Sequence, residues 1–225
     1  MLTNLISGGD TREFIIRMLL RLPIVLLMLS IHETAHGYVA NKLGDPTAKN
    51  LGRLTLNPIK HLDPIGFICM ILFGIGWANP VPINTRNFKN PRRDMALSGT
   101  AGPISNLLLA AVFAILLKIS FMLLSPISFA NETALLIANL FLQFLIIGIQ
   151  INVTFAIFNL IPIPPFDGSR IFYVFLPPKY YFGVMRYERY IALGFFLLLM
   201  LGIFDPILNF ITNRVVNLLL IAVGL

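Results

Sequence analysis

The chain has 225 residues, of which 57% are hydrophobic and 12% charged, about half the charged fraction of a soluble domain. With a mean hydropathy of +0.82, it reads as an all-α polytopic membrane protein. The net charge of +7 does not point to nucleic acid: the basic residues cluster between apolar runs, as a positive-inside bias requires, and are not interleaved with aromatics.

Residues 1–10 carry neither a basic n-region nor a small-residue cleavage site, so no removable signal peptide is expected. Residues 11–21 read as a short amphipathic helix, with Arg17 and Arg21 on one face reaching the headgroups. Residues 1–22 thus form an interfacial segment. Pro23 is expected to open a new helix at its first turn, running to about Leu43 before Gly44-Asp45-Pro46. That length, ~31 Å, crosses a hydrocarbon core.

Its C-terminal half contains His32-Glu33-Thr34-Ala35-His36. At i and i+4 the two imidazoles share a helix face about one turn apart, which suits two nitrogens on one Zn²⁺ with Glu33 as general base. Three ionisable groups in an apolar helix each cost roughly 2–3 kcal/mol or more to insert, so a compensating partner such as a metal is expected.

The 44–63 stretch is polar, and His61 in it reads as an interfacial, solvated histidine. Residues 64–77 are apolar but only fourteen long and glycine-containing, followed by Asn79-Pro80-Val81-Pro82. This fits a re-entrant segment around 64–83 better than a span. Cys69 within it reads as a buried, inert thiol; one cysteine excludes a disulfide framework.

Spans follow at about 94–123, where Ser98, Gly99, Ala101 and Gly102 permit close helix contact, and at 134–161. After a mixed segment 166–189 come two more, 190–203 and 206–224. Five spans plus the re-entrant segment place Lys42, Lys49, Arg53, Lys60, Arg86, Lys89, Arg92 and Arg93 on one side. The 166–189 loop adds Arg170, Lys179, Arg186 and Arg189 there, so that side is cytoplasmic. The Arg12, Arg17 and Arg21 cluster runs against this topology, and crossing of 64–77 would give six spans.

Zinc needs a third protein ligand. Asp167 is the acidic candidate in an apolar context, in Asn159-Leu160-Ile161-Pro162-Ile163-Pro164-Pro165-Phe166-Asp167-Gly168. Prolines there forbid a continuing helix and leave carbonyls unpaired, which membrane depth tolerates only around a polar cavity or inside protein. The bland alternative for Asp167 is an N-cap of a helix beginning near Ser169. Asn57 and Asn106 either orient backbone near the site or cap helices. Arg214 in the last span is expected to snorkel or pair with Asp205.

These residues resemble the site-2 protease family of intramembrane zinc metalloproteases. The resemblance rests on His32–His36, on Ala101-Gly102-Pro103-Ile104-Ser105-Asn106 and on Asn159–Gly168, an N-x-x-P-x-x-P-x-D-G-like element; it spans about residues 24–170. Leu56-Asn57-Pro58 and Gly76–Pro82 are similar to a compact prokaryotic branch without a PDZ-type or CBS-type domain. Phe166 stands where the family commonly has leucine. The resemblance implies one zinc per chain held by His32, His36 and Asp167, with Glu33 polarising water and Asn159 positioning the substrate backbone or stabilising the oxyanion.

The expectation is a single transmembrane peptidase domain over 1–225, with core 23–170 and C-terminal helices 185–225. It would be an intramembrane endopeptidase of the prokaryotic inner membrane, its site near the cytoplasmic face and its partners the bilayer and a substrate helix. The rivals are an ion-coupled transporter, against which no repeated broken-helix pattern is found, and an inactive helix-binding scaffold.

Overall fold

The computed structural model describes residues 11–73, 78–124, 131–175 and 178–225, with the side chains of 69–73, 178–186 and 200 excepted. Among them the fold is helical, with no strand and one isolated bridge. In chain order the helices are α1 (Thr11–Lys42), α2 (Thr47–Asn50), α3 (Pro64–Phe73), α4 (Pro91–Leu124), α5 (Glu132–Asn159), α6 (Asp167–Phe172), α7 (Pro178–Met200) and α8 (Asp205–Ala222). Three of these, α1, α4 and α5, are long and apolar enough to cross a membrane.

The expected break at Pro23 does not occur: α1 runs unbroken through it for 32 residues. Proline removes one backbone donor, and in an apolar helix packed against neighbours that loss is tolerated. Pro103 sits inside α4 in the same way.

The core lies where α1, α4 and α5 meet. Ile24, Phe113, Leu117, Leu145, Ile149 and Val153 are buried there, and Val215, Val216 and Leu219 of α8 pack against them. Gly148 lets α5 approach α4, because a Cβ there would stand 2.7 Å from the Phe113 ring. Arg214 lies over the Phe210 ring, 5.3 Å from its centroid, a cation–π contact.

The segment after α1 is tied back onto it. Asp45, fully buried, accepts from the backbone N–H of Asn84 (2.7 Å) and from Asn87 Nδ2 (2.7 Å). Asn57 caps the turn Pro58–Lys60, accepting from Ile59 N–H. Leu62 and Ala78 form the isolated antiparallel bridge, and Asn79 N–H donates to His61 O at 2.8 Å. The two ends of the 64–77 stretch therefore lie side by side. Residues 74–77 and the Cys69 side chain fall outside the described set.

A candidate metal centre between three helices

α1 presents His32 and His36 one turn apart. α4 crosses them at Gly102, where a Cβ would stand 2.4 Å from His36 Nε2 and 2.5 Å from His32 Cε1. Only glycine leaves room for both rings. The third element is α6, which starts at Asp167 after the proline-rich turn that ends α5. Asp167 is thus the first residue of that helix and not its N-cap. Gly168 allows the turn, since a Cβ there would meet Leu160 O at 2.3 Å. Phe166 anchors it from the other side, edge-on to Phe158 (4.4 Å) and Phe195 (5.1 Å). The aromatic residue before the carboxylate therefore locks the turn between α5 and α7.

The result is a tight triangle of donor atoms. His32 Nε2 lies 3.0 Å from His36 Nε2, and Asp167 Oδ2 lies 3.2 Å and 3.1 Å from the two. All three residues are buried. Ligands around a tetrahedral zinc at ~2.1 Å stand roughly 3.4 Å apart, so the triangle has nearly the right size. Its chemistry fits too. His36 Nδ1 lies 2.7 Å from Ser98 O, an acceptor, so that nitrogen carries the ring proton. The neutral ring then aims the Nε2 lone pair at a carboxylate oxygen, and two acceptors at 3.1 Å need a cation between them.

The Asp167 carboxylate is held against both rings at the start of α6 through Oδ2. The other carboxylate oxygen, Oδ1, lies 3.8 Å from Arg170 Nη1. Glu33 is buried, and its Oε2 accepts the Val81 N–H at 2.8 Å. Thr34 Oγ1 donates to Thr55 O at 2.7 Å, tying the motif to the loop after α1.

Asn159 is half-buried at the end of α5, its Nδ2 donating to Phe155 O at 3.0 Å. The Phe155 ring meets His32 edge-on at 5.0 Å. Asn159 therefore lies on the supporting helix end, not among the three convergent donors. His61 is not solvated as expected but fully buried, Nε2 2.7 Å from Thr55 O. Sequence reasoning missed Ser98, Arg170 and Val81 as neighbours of the site. Their parts are played by a backbone carbonyl, a chance of helix phase and a backbone N–H, none of which residue type reveals.

Comparison with known proteins now settles the family. The model of "Peptidase family M50" matches residues 121–202. A Bacillus subtilis protein named "putative zinc metalloprotease YwhC" is 43% identical over 177 residues, covering 79% of this chain and 77% of its own. The chain belongs to peptidase family M50, the site-2 protease family. Two further members bear the name Rip2. That of Mycolicibacterium smegmatis is 30% identical over 64% of this chain and 52% of its own. The Mycobacterium tuberculosis (H37Rv) protein is 32% identical over 82% and 66%. No solved structure matches. Membership of this family and three helices able to cross a bilayer make the chain an integral membrane protein.

Proposed function

We propose that this chain is a zinc-dependent intramembrane endopeptidase that cleaves membrane-protein helices, with one zinc per chain held by His32, His36 and Asp167. The observation that carries the reading is the buried convergence of those three donor atoms within 4.8 Å of one another. Held there, zinc supplies a Lewis acid that polarises a carbonyl oxygen and acidifies water. Glu33, beside His32, takes the proton from the attacking water and returns it to the leaving amine nitrogen. Ser98 O holds the His36 tautomer. Asn159 keeps one amide hydrogen beyond its bond to Phe155 O, available to a substrate carbonyl.

The whole of 1–225 is read as one peptidase domain. Five spans plus a re-entrant 64–77 is the topology we favour; the pairing of Leu62 with Ala78 supports it, since a crossing segment would end on the opposite side. The site lies near the end of α1, the start of α4 and the end of α5, the ends that adjoin the basic loops. This supports a site near the cytoplasmic face of a prokaryotic inner membrane, where water is at hand. A substrate helix must unwind locally to expose its carbonyls. The 79–82 segment, bonded to Glu33 through Val81, then offers backbone for the extended substrate to pair with.

The test is cleavage of a model transmembrane substrate by the purified chain, with and without a zinc chelator, beside Glu33→Gln. Chelation is expected to abolish turnover, and Glu33→Gln to lower it by roughly 10²–10⁴-fold. Chelator-insensitive cleavage, or full activity of the variant, overturns the reading.

A further inference from the structure

One face of α4 serves both imidazoles at positions four residues apart. Ser98 comes first: its carbonyl pairs with His36 Nδ1, and its hydroxyl donates to His36 O at 3.0 Å. Gly102 comes next, with both rings against its backbone. Asn106 is the third. It is fully buried in the middle of the helix, and neither its Oδ1 nor its Nδ2 has a hydrogen-bond partner. Side chains on a helix lean toward its N-terminus, so the Asn106 amide leans back toward the turn of Gly102. There the nearest ring atom of His32 is Cε1, which adjoins Nδ1.

His32 has the complementary defect. Its Nε2 faces Asp167 and His36, so a neutral ring that presents Nε2 to a metal carries its proton on Nδ1. That nitrogen is buried and has no partner. Metal-bound histidines almost always donate this second N–H to an acceptor, which fixes the ring and raises its basicity. Asn106 stands one helical turn beyond the glycine against which the His32 ring packs, and each of the two residues carries an orphaned polar atom. In native proteins such atoms are seldom left unpaired.

We propose that Asn106 is the outer partner of His32, as the Ser98 carbonyl is of His36. Its Oδ1 accepts from His32 Nδ1–H through one bridging water, and so holds the ring's tautomer and plane. Asn106 is a positioning residue: it acts on the metal only through His32. The inference rests on the zinc reading above and deepens it. It also accounts for an amide in an otherwise apolar stretch of α4, where burial without a partner is costly.

The experiment measures zinc affinity of the full chain in detergent, by competition with a chromogenic chelator, together with thermal unfolding of the metal-free protein. Asn106→Leu is expected to weaken zinc binding by roughly 10–100-fold, while the metal-free protein unfolds at the same temperature or higher. Asn106→Asp, which keeps an acceptor at the same reach, is expected to restore affinity. Asn106→Ala reads the same loss without added bulk if the leucine does not fit. Parental affinity in both Asn106→Leu and Asn106→Ala overturns the proposal. So does an Asp variant that binds as weakly as Leu. Asn152 of α5 is a second buried amide, its Oδ1 also without a partner; Asn152→Leu is expected to leave affinity unchanged. Loss there and not at Asn106 overturns the proposal by moving the contact to α5. Failure of the parent to bind zinc, or parental affinity in His32→Ala, overturns the zinc reading itself and is distinct from all of these.

Discussion

Replacing Gly102 by alanine adds one methyl group at the most crowded point of the site. The new carbon would stand 2.4 Å from His36 Nε2, 2.5 Å from His32 Cε1 and 2.6 Å from His36 Cε1. Comfortable contact is ~3.5 Å, so the rings must retreat by roughly 1 Å. The donor triangle has edges of 3.0–3.2 Å, and catalytic geometry tolerates displacement of only ~0.5 Å. A misplacement of ~1 Å costs on the order of 10²-fold in rate, so Gly102→Ala is expected to lose at least that factor in kcat/KM and to bind zinc more weakly. Helix propensity alone runs the other way, favouring alanine by about 1 kcal/mol. Gly194→Ala in α7 is the control, because a Cβ there meets nothing within 4 Å; it is expected to keep full activity. The assay is cleavage of a transmembrane substrate in nanodiscs, with bound zinc measured by mass spectrometry. Parental turnover and parental zinc content in Gly102→Ala would refute the geometry.

Three further outcomes follow from other contacts. Val81→Pro deletes the N–H that Glu33 accepts and joins an existing proline on either side; it is expected to lower cleavage while zinc content holds, and unchanged turnover counts against a role for the 79–82 segment. Gly148→Ala drives a methyl into the Phe113 ring and is expected to cost about 1–3 kcal/mol in unfolding free energy with zinc affinity intact. Burial pushes the Asp45 carboxyl up, but Thr47, Asn87 and Asn84 together hold it below its ordinary value. Its stabilisation is therefore complete above the ordinary carboxylate range and lost as pH falls through its native titration. The deficit in melting temperature of Asp45→Asn is expected at pH 7 and to shrink on acidification.

Spacing made much of the site legible. His32 and His36 are four apart on a helix whose apolar length is plain, and Asp167 follows three prolines within four residues, a cluster that ends a helix where a single proline need not. What spacing does not encode is what one helix meets on another. Gly102 reads as a packing residue; that it packs against imidazoles needs the α1–α4 crossing. His61 reads as solvated because its neighbours in sequence are polar, whereas the fold buries it completely, with Nε2 on Thr55 O. Pro23 reads as a helix start because proline is favoured there, yet the chain before it stays helical since apolar surroundings leave the backbone nowhere better to bond. The ends of α4 and α5 fell within a few residues of expectation, while the start of α7 lay hidden in a polar stretch.

The bridge between Leu62 and Ala78 has a consequence for how such a protein can vary. The two ends of the stretch it closes are pinned to α1 through Thr55, His61 and Val81, so the closure of the loop is fixed outside the loop itself. The entropy of closing such a loop grows only with the logarithm of its length, about 0.6 kcal/mol per doubling. Residues can therefore be added to or removed from the apolar stretch between the pins at little cost in stability. Its length is free to change while Glu33 and the three donors stay where they are.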